Sequence, residues 1–231
     1  MRLRLPYMLA GLVWLAPFAA RGDVFQADGV RVDLQIPQGY CSLSRDNLLE
    51  KPHYDLQERM QAKINGVMLI ALPCEEIEAA RAGKPWKRWV IWLLNGPAGN
   101  HTKIPPGMSR QAVAEELARA MPNIDIDAIS KQVGGSVAKE GIGLQLQTMS
   151  TIGKDELALY TAQAADVKRG SSSRQIAVVT GWIAMEGRLF TANAYADLDS
   201  VATVEGLLSQ IKDIVKRSAE KTEEAAGSVT K

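Results

Sequence analysis

Two histidines are the residues of this 231-residue chain whose types could support nucleophilic catalysis. Such catalysis needs a base beside a serine or cysteine, and His53 and His101 are the imidazole bases available. Residues 171–173 are a run of serines in a polar stretch, and no G-x-S-x-G pattern presents a serine to a base. We therefore predict a protein that is not an enzyme and assign no catalytic residue. A hydrolase built from His101 and dispersed carboxylates is the alternative.

The chain has two cysteines, Cys41 and Cys74. In an oxidising compartment an even count favours one disulfide, which would close a loop of about 30 residues and stabilise the fold by a few kcal/mol. Two buried thiols or half a metal site are the alternatives, although the spacing matches no zinc pattern. We predict the disulfide, which would exclude thiol catalysis.

Paired acids give a faint hint of metal chemistry. Asp125 and Asp127, like Asp197 and Asp199, place two carboxylates two residues apart, as a calcium loop does. Both pairs lack the later glycine and glutamate of that loop, and both precede a predicted helix, where aspartate accepts backbone N–H bonds. We predict helix caps, with no metal site and no cofactor.

Residues 84–92, KPWKRWVIW, combine three tryptophans with three basic side chains. In a strand, Trp86 and Trp92 would lie on one face and Trp89 on the other. Core packing on both faces is the favoured interpretation. An exposed basic and aromatic surface for a sugar, a peptide or a membrane interface is the alternative, which keeps Trp86 and Trp89 as candidate contacts.

The long loop at residues 96–107 contains three glycines and three prolines. Loops of this length in compact domains are often functional. Its tip carries Asn100, His101 and Lys103, and these residues are the sequence's candidates for contacting a ligand or partner.

The remaining pattern predicts an α+β domain. Apolar alternation and apolar runs predict strands, spacings of three and four predict helices, and the dipeptide Glu186-Gly187 predicts a hairpin. The predicted strands cover residues 30–36, 67–72, 87–95, 142–147, 157–165, 175–185 and 188–196. The predicted helices cover residues 45–65 (split at Pro52), 75–82, 109–121, a segment from 125 to about 135, and 201–215. Residues 153–156 are predicted to turn and residues 167–174 to form a flexible loop. We therefore expect an antiparallel sheet of about six to seven strands with helices packed on it in two layers.

The first 22 residues predict a signal peptide. Arg2 and Arg4 precede an apolar run at residues 7–18, which is about the length of a signal core and shorter than a membrane span. Small residues at 20 and 22 predict cleavage between Gly22 and Asp23, with cleavage after Ala20 as the alternative. We predict a periplasmic protein with one globular domain at residues 23–217, a polar disordered tail at 218–231 and no membrane span after cleavage.

Charge limits the class of partner. Removal of residues 1–22 takes away three arginines and no acid, so 27 Lys and Arg become 24 against 26 Asp and Glu, a net charge of −2. A nucleic-acid binder would need a concentrated positive surface, so we predict no nucleic-acid partner.

Short motifs add a resemblance to known families. Residues 38–41 (QGYC), residues 74–77 (CEEI) and residues 81–83 (RAG) resemble uncharacterised exported bacterial proteins with a G-Y-C…C-E-E pattern. The order of elements also resembles the PsbP-like and DcrB-like fold, in which a long antiparallel sheet is backed by helices at both ends. The resemblance implies an accessory or binding component of an envelope or lumenal space, with no shared catalytic set. The partner would be an unknown envelope protein or a small ligand. A structural subunit of an envelope assembly is a further alternative, and the pattern does not predict the oligomeric state.

Overall fold

A computed structural model describes residues 23–27, 29–138, 141–147 and 149–229. The predicted signal peptide at residues 1–22 and the last two residues of the predicted tail lie outside the described residues. The strands are β1 (Asp23–Ala27), β2 (Val30–Leu34), β3 (Tyr40–Ser42), β4 (Asn65–Pro73), β5 (Arg88–Asn95), β6 (Ile142–Leu146), β7 (Ser150–Lys154), β8 (Ala158–Arg169), β9 (Ser172–Met185) and β10 (Arg188–Asp197). The helices are α1 (Lys51–Gln61), α2 (Ile77–Arg81), α3 (Arg110–Ala120), α4 (Ile126–Val137) and α5 (Val201–Val229).

Eight of the strands form one antiparallel sheet, and β1 pairs with β2 in a separate hairpin. The path through the large sheet is β3-β4-β5-β10-β9-β8-β6, and β7 pairs with β8 beside it. This confirms the α+β class and the antiparallel sheet, with eight strands rather than the six to seven predicted.

Two tight turns organise the long central strands. Glu186 and Gly187 both have positive φ, at 48° and 68°, so the predicted hairpin between β9 and β10 is confirmed. The flexible loop predicted at residues 167–174 is wrong: β8 and β9 stay paired from Ala158↔Ile183 to Arg169↔Ser172. Serine and arginine occur in a strand when a neighbouring strand forms hydrogen bonds with their backbone groups. Composition alone does not reveal whether such a neighbour is present.

Helix α5 covers one face of the sheet. Leu207, Ile211, Ile214 and Val215 are buried against apolar side chains of β5, β9 and β10. The disordered tail predicted from residue 218 is wrong as far as Val229, because α5 continues to that residue. Two of its polar side chains there are buried against the segment around β2: the backbone N–H of Gln35 donates to Ser218 Oγ at 2.8 Å, and the Asp33 N–H donates to Thr222 Oγ1 at 3.1 Å.

The opposite face of the sheet is packed against other helices. Helices therefore cover both faces of the sheet, whereas the sequence predicted an arrangement of two layers. Tyr54 of α1 and Ile77 of α2 are buried against β4 and β5, and Val113 of α3 is buried near the β9–β10 turn. The helix predicted from residue 45 and split at Pro52 is a single helix from Lys51. Pro52 falls in its first turn, where the missing N–H would have no intrahelical partner.

The predicted arrangement of the tryptophans is wrong in one respect. Strand β5 begins at Arg88, so Trp86 precedes it and does not follow the strand alternation. Trp86 contacts Trp89 with ring centroids 5.9 Å apart, and both lie on the face opposite α5. Trp92 lies on the α5 face and donates its Nε1 proton to the Gln35 carbonyl at 2.8 Å.

The predicted disulfide is present. Cys41 and Cys74 are bonded, with their Cα atoms 4.9 Å apart, and they join β3 to the turn that follows β4. The bond ties the edge strand β3 to the sheet at a place where only three strand residues pair. None of the helices in the described part of the chain has the length and hydropathy needed to span a membrane.

Candidate functional site

The face of the sheet opposite α5 encloses the best candidate site, a cavity of about 390 Å³. We call it the sheet groove. Its walls are α1, α4, β6 and residues 83–86, and its floor is the side of β5, β8, β9 and β10 that faces away from α5. Ligand sites in proteins are commonly concave, mostly apolar and about 300–1,000 Å³ in volume, so the groove has the size and form of such a site.

Helix α1 and helix α4 present aliphatic stripes to the groove. Leu56, Met60 and Ile64 follow one another every four residues along and just after α1, and Ile129 and Val133 do so in α4. Of these five side chains only Val133 is fully buried, and the other four stay half-buried. A globular core would bury such stripes completely, so this apolar surface is covered by helix and sheet but not filled.

The position of α4 follows from its two ends. Its N-terminus is capped by Asp125, whose Oδ1 accepts the Ala128 N–H at 2.9 Å. Near its C-terminus Gly134 approaches β6 so closely that a Cβ there would lie 3.1 Å from the Leu144 carbonyl oxygen. The cap sets where the helix begins and the glycine lets it rest on β6, which forms one rim of the groove.

The side chains at the centre of the floor are polar, but they already form hydrogen bonds with one another. Thr180 donates through Oγ1 to Asn193 Oδ1 at 2.8 Å, and Asn193 Nδ2 donates to Thr191 Oγ1 at 3.1 Å. All three side chains are buried. Buried polar groups cost free energy unless they are hydrogen-bonded, and here they bond to one another across β9 and β10. The floor therefore offers a ligand limited hydrogen bonding at its centre.

Neutral amides line one end of the groove. Gln61 Oε1 accepts from Asn65 Nδ2 at 2.9 Å, Asn65 Oδ1 accepts from Asn95 Nδ2 at 3.3 Å, and Asn95 Oδ1 accepts from Thr102 Oγ1 at 2.9 Å. The chain of hydrogen bonds joins α1, β4, β5 and the loop at 96–107. It fixes the end of the groove without placing a charge there.

Aromatic rings line the opposite end. The centroids of His53 and Trp86 are 4.8 Å apart, and Trp89 stacks on Tyr195 at 4.7 Å with an interplanar angle of 5°. Burial raises the pKa of Tyr195 above its usual range, so its phenol stays neutral. Trp89 is 7 % exposed, and its Nε1 donor has no acceptor within the described residues.

Arg174 belongs to the aromatic end. Its Nη1 donates to the Trp86 carbonyl at 2.6 Å and lies 3.2 Å from Asp197 Oδ1. Its guanidinium carbon is 5.7 Å from the centroid of Trp89. These contacts hold a cation in a fixed place at the edge of the groove.

The structure separates the loop residues that the sequence singled out. Asn100 is exposed, and His101 Nε2 lies 3.2 Å from where a Cβ on Gly66 would stand. Lys103 pairs in an isolated bridge with Arg188 and lines an open depression of about 750 Å³ beside α3. The three residues do not line one cavity, and their role as contacts stays a prediction. Trp86 and Trp89, by contrast, both line the sheet groove.

Asp125 and Asp197, one from each pair of aspartates, have contacts within the protein. Asp125 caps α4, as predicted, and Asp197 pairs with Arg174. No group of three metal-ligating side chains occurs within the described ranges. The other imidazole, His53, has its Nε2 3.0 Å from the Ala80 carbonyl oxygen.

Sequence reasoning missed the aliphatic walls and the polar floor of the groove. The alternation of Ile142, Leu144 and Leu146 was visible, as was the apolar spacing in α4. Such patterns show that a face is apolar, but they do not show whether another element fills the space opposite it. The pairing of Thr180 with Asn193 depends on the register of β9 and β10.

Comparisons with known proteins give a distant likeness. No protein-family model matches the chain, and no curated protein matches it. Among solved structures it is similar to the solution structure of the cyanobacterial PsbP protein (CyanoP) of Synechocystis sp. PCC 6803. The identity is 12 %, the alignment covers 84 % of this chain and 91 % of that one, and the TM-score is 0.41.

Proposed function

We propose that this protein is an exported binding protein that holds an apolar small molecule in the sheet groove. The observation that carries the proposal is the half-buried aliphatic stripe on α1 and α4, which faces a cavity of about 390 Å³ instead of packed side chains. Filling such a space removes apolar surface from water, which is favourable by roughly 25 cal/mol per Å² before the costs of association.

The contacts of the polar groups support binding rather than catalysis. His101 packs against Gly66 outside the groove lining, and His53 is engaged with the Ala80 carbonyl. The buried hydroxyl and amide groups of the floor bond to one another. A rigid, saturated floor suits a site that retains its ligand unchanged.

The disulfide supports an exported location. Bonded cysteines persist in oxidising compartments such as the bacterial periplasm. Expression from the full sequence in a bacterial host, followed by fractionation and intact-mass measurement, tests this part of the proposal. We expect a periplasmic protein that begins at Asp23, and a chain of full mass in the cytosol would contradict it.

A fluorescent ligand tests the groove. The probe is N-phenyl-1-naphthylamine, a neutral molecule whose emission rises in apolar surroundings. We expect saturable binding at one site per chain. Ala165→Phe places a ring on the floor at a residue that is 3 % exposed, and we expect at least a tenfold loss of probe affinity.

Ala202→Phe is the matched control, because it makes the same change at an exposed position of α5. Its affinity for the probe should equal that of the unaltered protein. If Ala165→Phe does not fold, as judged by circular dichroism, Ile129→Phe brings the same ring from the α4 wall. Unsaturable binding, or equal affinities for groove and control variants, would overturn the proposal.

A further inference from the structure

The charged residues that line the sheet groove are all basic in the described part of the chain. Lys84, Arg169 and Arg174 line it together with His53, and no aspartate or glutamate does so there. The chain as a whole is balanced, with 27 Lys and Arg against 26 Asp and Glu. The lining is therefore more positive than the chain as a whole.

These cations lie at the aromatic end. Arg174 Nη1 contacts the carbonyl of Trp86, which is two residues from Lys84. Arg174 is paired across the ladder with Val167, which is two residues from Arg169. The opposite end carries the neutral amides of Gln61, Asn65 and Asn95. The groove thus has a positive end and an uncharged end, joined by the aliphatic walls.

The contacts of Arg174 leave two of its N–H donors, on Nε and Nη2, available for a ligand. Both of its polar contacts within the described residues, to the Trp86 carbonyl and to Asp197, are made by Nη1. Nε and Nη2, the two donors that form the other edge of the guanidinium, make no hydrogen bond or ion pair within the described residues. Two parallel N–H donors match the two oxygens of a carboxylate, and such charge-assisted pairs are stronger than neutral hydrogen bonds. Asp197 offsets part of the charge of Arg174, whereas Lys84 and Arg169 add charge at the same end.

We infer that the ligand of the sheet groove is a medium-chain carboxylate, that is, a single-chain amphiphile with an anionic head. This inference deepens the proposed function and rests on it. The carboxylate lies at Arg174, and the chain runs along Met60, Ile129 and Leu144 toward the amides. A cavity of about 390 Å³ falls within the 300–1,000 Å³ range of small-molecule sites, so it has room for a chain the size of dodecanoate.

Two matched pairs of ligands test this inference on the full expressed protein. 1-Anilinonaphthalene-8-sulfonate is N-phenyl-1-naphthylamine with an added sulfonate, and dodecanoate differs from 1-dodecanol mainly in its charge. We expect dodecanoate to displace the neutral probe at a concentration at least tenfold lower than 1-dodecanol does. The anionic probe should also bind more tightly than the neutral one, and its advantage should shrink as salt is added.

Variants of the basic end separate charge from shape. Arg174→Gln should weaken the anionic probe and dodecanoate at least tenfold and change the neutral probe less than twofold. Arg174→Lys keeps the charge but removes the two parallel N–H donors, so it should lie between the two. Arg119→Gln is the control, because Arg119 is an exposed residue of α3 outside the groove. If Arg174→Gln unfolds, the double variant Lys84→Gln, Arg169→Gln tests the same prediction with a severalfold loss for the anionic ligands alone.

The outcomes distinguish the two proposals. Failure of the neutral probe to bind overturns the proposed function itself. Binding of the neutral probe with equal displacement by dodecanoate and 1-dodecanol leaves the groove as a binding site but overturns its anion selectivity. Dimerisation that expels the neutral probe as protein concentration rises would show a second copy as the occupant, and would also overturn the inference.

Discussion

Gly181 shows how a single hydrogen atom in place of a side chain lets α5 pack on the sheet. The residue lies in β9 between Tyr160 of β8 and Ala192 of β10. A Cβ at this position would stand 2.8 Å from Ile211 Cγ2 and 3.0 Å from Val215 Cγ2. Carbon atoms in contact prefer a separation of about 3.5–4.0 Å, so Gly181→Ala forces the helix away from the strand.

The cost of that change follows from the rigidity of both partners. Ile211 and Val215 are fully buried, and β-branched side chains in a helix have one strongly preferred rotamer, so rotation gives little relief. Overpacking of a core costs about 1–3 kcal/mol, and replacing glycine inside a strand returns roughly 0.5–1 kcal/mol. We expect a net loss of about 1–2 kcal/mol in the free energy of unfolding, which lowers Tm by about 2–8 °C for a domain of this size.

Urea and thermal unfolding followed by circular dichroism measure the effect. Gly206→Ala in α5 is the control, because no atom lies within 4 Å of its Cβ position and alanine improves the helix by up to about 1 kcal/mol. Ile211→Ala alone should cost about 2–5 kcal/mol, and in its presence Gly181→Ala should cost less than in the unaltered protein, because only the close contact with Val215 Cγ2 remains. A Gly181→Ala protein as stable as the unaltered one, or strict additivity of the two changes, would refute the packing argument.

Three further predictions concern the disulfide, α4 and the tyrosines. The double variant Cys41→Ser, Cys74→Ser should lower the free energy of unfolding in urea by about 4 kcal/mol, as the chain-entropy relation gives for a separation of 33 residues. An unchanged urea midpoint would contradict this prediction. In α4, Gly135→Ala should raise the free energy of unfolding by about 0.4–1 kcal/mol, because nothing lies near its Cβ position. Gly134→Ala should not, because its Cβ would press on a backbone carbonyl of β6. Equal Tm values for the two variants would count against this close approach. Burial is the main cause that raises the pKa of all four tyrosines in the described residues, so the folded state favours their neutral form; that stability is present below pH ~10 and is lost as the pH rises further. Phenolate absorbance should therefore appear in the native protein at higher pH than in the guanidinium-unfolded chain and together with loss of circular dichroism, and identical titration curves would rule this out.

Local patterns in the sequence were sufficient for most individual elements. Alternation located β2 and β6, the Glu186-Gly187 pair located the central hairpin, and Asp125 located the start of α4. These features depend on backbone preferences and hydrogen bonds between near neighbours. The two cysteines, together with the predicted export, were likewise sufficient to predict the crosslink that the structure contains.

Tertiary contacts decided where polar segments become ordered. Residues 167–174 have the composition of a loop, yet pairing of Arg169 with Ser172 carries β8 and β9 through most of them. The last part of α5 lacks an apolar stripe, yet Ser218 and Thr222 are buried and accept hydrogen bonds from the backbone N–H groups of Gln35 and Asp33. In both places the stabilising partner is distant in sequence, so no local pattern records it.

The sequence by itself determined the class of fold, the disulfide and the positions of the apolar faces. It did so because propensity, periodicity and cysteine count are properties of neighbouring residues or of the whole chain. Only the tertiary structure decided that the faces of α1 and α4 enclose a space rather than a packed core, and that Arg174 stands at its positive end. A cavity is a relation between elements that are far apart along the chain, and its existence depends on how closely helices and strands can approach one another.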